Sequence, residues 1–277
     1  MVKLPRKVRQ REEPLTKEMI VRLLRILPMK FQTAVLVATA SGIRLGELVQ
    51  LKISDVDFDQ KPTRLRIRAD TTKTKEARET FLTTEATKAL KDYLVRFFGW
   101  KEGELNEEIK QKIIFGRTTK SRKENERKLK LDPVLVRENI LIRSLKQYTR
   151  KIPELDQRNE NGRKIIHFHA FRKFFRTIVG DAVGRDFAEA LMGHHFYLDT
   201  YYNLPQEKRR EMYLKAEPYL TIADLIKFEK DLAVMTEKQK QIEQDYYSFH
   251  EFLDKNTLDL PKLIERLVAR SLDRKTN

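Results

Sequence analysis

Ala40-Ser41-Gly42-Ile43-Arg44-Leu45-Gly46-Glu47-Leu48 is the stretch on which the fold of this chain turns. Before it, Phe31 to Ala40 is dominated by apolar and small residues, which predicts a buried helix, and Gly42 is the residue type that ends one. After it, a second helix is expected near Leu45, carrying Glu47, Leu48 and Leu51. Arg44 therefore stands in the break between two helices, with Gly42 and Gly46 beside it. A surface arginine at a helix start is the plainer alternative.

Outward from this break the periodicities stay short. Thr16 is placed to cap a helix with Ile20, Leu23, Leu24 and Ile26 on its apolar face, although Met19 stands where a full capping box needs Glu or Gln. Val56 to Phe58, Arg64 to Ile67 and Glu79 to Leu82 read as short strands, Leu65 and Ile67 alternating with arginines. Thr84 to Phe98 reads as a helix whose face is Ala86, Leu90, Tyr93, Leu94 and Phe97. Residues 99–130 have no clean period and are densely charged, as in an insertion. Pro133 to Lys151, Ala170 to Val179 and Phe187 to Met192 are helical again. The expected fold is mainly α with a small antiparallel β-sheet.

The tail differs. Leu225, Phe228, Leu232, Met235, Gln239, Ile242, Tyr246, Phe249 and Leu253 keep a three-four alternation, the spacing of a coiled-coil seam or of a long amphipathic helix packed on its own domain. Pro261 opens a short terminal helix with Leu263, Ile264 and Leu267. The boundaries read are a domain over 1–224 and a C-terminal helical extension over 225–277.

The 277 residues include 57 Lys and Arg against 41 Asp and Glu, a formal charge of +16, the balance of a protein that meets a polyanion. The excess is concentrated in 61–78 and 117–130. Any single one of these residues is ordinarily solvated surface; their density favours phosphate contacts. With no cysteine there is no disulfide, zinc-thiolate site or cysteine nucleophile. No apolar run approaches membrane-spanning length, and no apolar signal core follows the basic N-terminus. The expected location is the cytoplasm, at the nucleoid.

Further candidates lie in three short motifs: His169-Ala170-Phe171-Arg172, Leu191-Met192-Gly193-His194, and the pair Tyr201-Tyr202. Arginine binds phosphate through a planar, permanently charged fork, which makes Arg44 and Arg172 a candidate clamp. Imidazole moves protons near neutrality, and His169 and His194 each sit in a motif. Four of the five histidines fall between 167 and 195, but without matching carboxylates no metal site is expected. Asp55-x-Asp57-x-Asp59 lacks the glycine and glutamate of a calcium loop. There is no Gly-rich phosphate loop, and no cofactor is expected.

In the order Arg, His-x-x-Arg, Gly-His, Tyr, the chain resembles the catalytic domain of the tyrosine recombinase (phage integrase) superfamily over roughly residues 14–222. Its Tyr-Leu-Asp-x-x-Tyr segment and Tyr213-Leu214-Lys215-Ala216-Glu217 are similar to archaeal, Xer-like members. The resemblance implies the tyrosine recombinase catalytic-domain fold and a site-specific recombinase that cleaves and rejoins double-stranded DNA through a 3′-phosphotyrosine, acting as a homo-oligomer in a tetrameric synapse. It implies Arg44, Lys73, His169, Arg172, His194 and Tyr202 as catalytic residues. Lys73, on an expected hairpin turn, takes the general acid's place, with Lys75 second. Glu47 takes the place of the acid that orients the site, a surface ion pair with Arg44 being the alternative. The family tyrosine usually lies nine residues after the Gly-His histidine; here that position is Asn203, so Tyr202 is expected as nucleophile, with Tyr201 in support. Arg44 lies too near the start for the separate N-terminal domain with which most relatives clamp DNA. That, with the shifted tyrosine, favours a non-catalytic DNA-binding relative as the alternative from another class; a type IB topoisomerase is the enzymatic one.

Overall fold

Nine consecutive residues of one helix, Thr33 to Ser41, are buried on every side. A helix apolar all round belongs at the centre of a domain, and this one, α2 (Met29–Ser41), is what the rest is built on. The computed structural model describes residues 14–72, 74–101, 103, 107–116, 132–159, 162–194, 204–222, 237–248, 251 and 265. The chain divides into two units, Met1–Ala223 and Asp224–Asn277.

In the first unit, α1 (Lys17–Ile26) begins at Thr16, whose hydroxyl accepts from Met19 N–H, and buries Ile20, Val21, Leu23 and Leu24. Ile26, expected on that face, is half-buried, because the buried stripe takes Val21 instead. Helix α2 ends at Gly42, in the left-handed region at φ 62, and a Cβ there would collide with the Phe175 ring. Only glycine meets both conditions at once. After the one-turn α3 (Leu45–Leu48) come β1 (Val56–Asp57), β2 (Thr63–Ile67) and β3 (Arg78–Leu82), an antiparallel sheet in the order β1-β2-β3 with Leu65 opposite Val56 and Thr80. As the alternation predicts, Thr63, Leu65 and Ile67 point inward.

Helix α4 (Thr84–Phe98) buries Ala86, Leu90, Tyr93 and Leu94. Phe97 does not join them, being 36% exposed, with its ring tilted at 41° against that of Tyr93. The charged stretch 99–130 contains core: beyond α5 (Glu107–Lys110), Ile114 and Phe115 are buried, and Ile114 N–H donates to Leu51 O at 2.9 Å. Residues 117–131 lie outside the described residues.

Asp132 caps α6 (Pro133–Thr149). Helix α7 (Phe168–Val183) packs against α2 and carries α8 (Arg185–Met192) and α9 (Gln206–Leu220) on its other sides. Helix α9 has no strong apolar stripe to announce it: it buries only Tyr213, Ala216 and Leu220, exposes Leu214 and Tyr219, and contains Pro218. In the second unit, residues 237–248 are helical with Ile242, Tyr246 and Tyr247 exposed. Of the expected seam positions Gln239 is exposed as well, and the remaining ones, with all of the expected terminal helix after Pro261 except Glu265, lie outside the described residues. Among the described residues no helix is long and apolar enough to cross a membrane.

Candidate active site

The last carbonyls of a helix have no partner within it and carry the negative end of its dipole. In this domain side chains take up those of α2 and α8. At the end of α2, Ala40 O accepts from the Tyr213 hydroxyl at 2.7 Å, Ser41 O from Thr80 Oγ1 at 2.9 Å, and Gly42 O from Arg172 Nη1. At the end of α8 the partners are three arginines from three elements. Arg78 Nε donates to Leu191 O at 3.1 Å, Arg172 Nη2 to Met192 O at 2.8 Å, and Arg44 Nη2 to Gly193 O at 3.4 Å. Gly193 permits this approach: its φ is 67, and a Cβ there would stand 2.6 Å from Arg78 Cδ.

Glu47 holds two of these guanidiniums together. Its carboxylate accepts from Arg44 N at 2.8 Å and Arg44 Nη1 at 3.1 Å, and from Arg78 Nη1 and Nη2 at 2.8 and 2.6 Å. The i, i+3 ion pair with Arg44 is present, and it is made by a carboxylate only 3% exposed. Burial pushes this carboxyl up, but the hydrogen bond and charge of Arg78, with the bonds from Arg44, outweigh it and hold it below the usual carboxylate range.

Arg172, 2% exposed, also donates to His194 Nε2 at 2.9 Å. Burial first, then the charges of Arg44 and Arg78, bring its guanidinium down to about 9, with Glu47 and Glu189 acting against them. It remains a cation at neutral pH in a place short of negative charge. An anion brought to Arg44, Arg78 and Arg172 supplies what is missing.

The structure thus brings together Arg44, Glu47, Arg172 and His194 of the expected residues. His169 lies one turn before Arg172 on α7 with its ring exposed, 6.3 Å from that of His167. Lys75 is exposed at φ 58 in the loop between β2 and β3, where the buried Thr72 hydroxyl accepts from Glu76 N–H at 3.0 Å. Lys73, Tyr201 and Tyr202 lie outside the described residues, as does His195.

Sequence reasoning missed Arg78, Glu189 and Arg176 as members of the site. Glu189, buried on α8, accepts from His194 Nδ1 and from Arg176 Nε. Two signals were available. Arg78 shares a strand face with Thr80 and Leu82, a charge in an inward register, and Glu189 stands in the otherwise apolar run Phe187 to Met192.

The phage integrase family model matches residues 13–200, more than half of the chain. The chain belongs to the phage integrase family. The matched span contains the whole arginine cluster and stops just short of Tyr201 and Tyr202. Among solved structures, the chain is similar to XerA recombinase (21% identity, 76% of this chain and 66% of that one, TM-score 0.47). It is also similar to a lambda integrase (75-356) dimer bound to a COC′ core site (18%, 72% and 63%, TM-score 0.45). A third is the integrase from mycobacterium phage Brujita (14%, 79% and 62%, TM-score 0.47). The chain spans just under two thirds of the length of each of these three. No curated protein matches its sequence.

Proposed function

We propose that this chain is a site-specific tyrosine recombinase, of the archaeal, Xer-like kind, that cleaves and rejoins double-stranded DNA through a 3′-phosphotyrosine. The observation that carries the reading is the convergence of Arg44, Arg78 and Arg172 on the end of α8, around Glu47 and beside His194. A scissile phosphate there exchanges helix-end carbonyls for a full negative charge as the partner of the guanidiniums, an exchange that strengthens as charge builds on the non-bridging oxygens.

In the reaction the Tyr202 oxygen forms a bond to phosphorus, the bond to the 5′ oxygen breaks, and the phosphodiester energy is kept for rejoining. Arg44 and Arg172 hold the non-bridging oxygens. His194 and His169 assist at the phosphate and the tyrosine hydroxyl, and Lys73, or Lys75 in its place, gives a proton to the leaving 5′ oxygen. Glu47 fixes Arg44, and Tyr201 supports the nucleophile. Burial speaks against two of the other tyrosines as nucleophile. Tyr93 and Tyr213 are buried with their hydroxyls on Ile114 O and Ala40 O. Burial and Glu217 keep the Tyr213 phenol protonated well above its usual range. The proposed assembly is a homo-tetramer on two duplexes at the nucleoid, without cofactor or metal.

The test is incubation with nicked suicide duplexes of candidate attachment sites, followed by denaturing electrophoresis. A covalent adduct in the wild type, lost in Tyr202→Phe with DNA affinity intact, is the expected result. Adduct formation by Tyr202→Phe and its loss in Tyr201→Phe moves the nucleophile by one residue. DNA binding with no adduct on any duplex leaves a binding protein. Relaxation of supercoiled DNA without strand exchange between duplexes leaves a topoisomerase.

A further inference from the structure

Glu189 and His194 face each other because of how α8 ends. Gly193 N–H donates to Ala190 O at 3.1 Å and His194 N–H to Glu189 O at 3.1 Å, the paired bonds of a Schellman motif around a left-handed glycine. That motif brings the residue after the glycine back over the residue five positions earlier, where an apolar contact is usual. Here a carboxylate and an imidazole meet instead. Both oxygens of the carboxylate are engaged, one by His194 Nδ1 and the other by Arg176 Nε, and the group is 3% exposed. A buried charge in a position that normally takes an apolar pair is weak for stability, which points to a purpose elsewhere.

The hydrogen bonds fix the state of the ring. A guanidinium has no acceptor, so where Arg172 Nη2 donates at 2.9 Å, His194 Nε2 presents a lone pair. The ring proton is then on Nδ1, given to the Glu189 carboxylate. Burial pushes the Glu189 carboxyl up, but hydrogen bonds from Arg176 and His194, with the Arg176 charge, hold it below the usual range, so this acceptor is ionised at neutrality.

We propose that Glu189 is a positioning residue that holds His194 in the Nδ1–H tautomer, with Nε2 turned to Arg172 and the phosphate position. The inference deepens the recombinase reading and rests on it for the role of His194. The arrangement follows the logic by which a buried carboxylate orients a catalytic histidine. A proton taken up at Nε2 during attack leaves an imidazolium whose charge the same carboxylate stabilises.

The ring state is measurable without DNA. In protein labelled with 15N-histidine, the His194 imidazole shifts, assigned by their loss in His194→Asn, are expected to report the Nδ1–H form. Glu189→Ala is expected to release it toward the Nε2–H form and to slow cleavage of the suicide duplex about 10²-fold or more with little change in DNA affinity. Glu189→Gln has one acceptor oxygen for two donors; with that oxygen on Arg176 its amide N–H faces Nδ1, so this nearly isosteric variant is expected to fold, to lose the Nδ1–H form and to slow cleavage as Glu189→Ala does. If Glu189→Ala does not fold, the wild-type tautomer and the Gln variant still decide. A wild-type ring in the Nε2–H form overturns the proposal, as does a Glu189→Ala protein with unchanged tautomer and cleavage rate. If the wild type makes no adduct, the recombinase reading fails, while the ring measurement still judges Glu189.

Discussion

Glu47 concentrates the energetic risk of the site in one side chain. It is buried beneath Arg44 and Arg78, and removing the charge of one partner in such a cluster costs about 3–5 kcal/mol. Glu47→Gln is therefore expected to lower the urea midpoint by that equivalent and, by freeing Arg44, to depress cleavage. The pH dependence follows from the same carboxylate. The folded-state pKa of Glu47 is lowered from 4.5, so its stabilisation is complete above that value and lost as pH falls through the folded pKa. Thermal melts of the wild type should decline below pH 4.5, and more shallowly in Glu47→Gln; equal acid slopes would remove Glu47 as a cause. Arg172 has the opposite character. Its guanidinium is lowered to about 9, so at neutral pH holding the charge lowers stability, and a bound anion should offset this. Inorganic phosphate is expected to raise the Tm of the wild type by about 2–4 °C per kcal/mol of binding free energy, and that of Arg172→Met little. Equal shifts in both would place anion binding elsewhere.

At the scale of elements, helix ends organise the site. Gly193→Ala forces a side chain into the left-handed region, costing about 1–2 kcal/mol, and puts a methyl 2.6 Å from Arg78 Cδ. It should impair cleavage more than Gly99→Ala, which also has positive φ but no neighbour within 4 Å; comparable losses in cleavage would mean that Arg78 is irrelevant. Helix α9 is fastened at several places to the domain that carries the cluster. Tyr213 caps α2 and packs on Phe81 with ring centroids 5.3 Å apart, and Arg210 donates to Lys61 O. Tyr213→Phe leaves Ala40 O without its partner, and a loss of about 1–3 kcal/mol is expected in denaturant melts.

For the whole molecule the +16 charge makes association with DNA a counterion-release process. Binding to any duplex is expected to weaken by about 10³–10⁵-fold between roughly 50 and 200 mM salt if about 6–10 phosphates are contacted. A shallow slope in a fluorescence-anisotropy titration would contradict the polyanion reading. The division after Ala223 gives a natural truncation point. Removal of the tail is expected to weaken multimeric synapsis more than cleavage at a single site, and sedimentation should show a smaller species. An unchanged mass distribution with lower thermal stability would instead assign the tail to intramolecular packing.

The sequence by itself determined what depends on near neighbours. A run dominated by apolar and small residues made α2 central, Gly42 and Gly193 ended helices, period-two alternation gave β2 its inward face, and Arg44, Arg172 and His194 stood out in short motifs. Helix α9 was not legible, because its burial depends on where α2 and α7 lie and not on an apolar stripe of its own. Nor were the partners within the site. For Glu47 the sequence left a local ion pair with Arg44 open beside the orienting role, because its second cation, Arg78, is 31 positions away, and Arg78 reaches the end of α8 across a further 113. Only tertiary structure decided that these groups are buried together, and burial is what makes them chemically distinct. In water each charge is solvated separately, whereas beneath this surface every charge has to be balanced by another that the fold has brought to it.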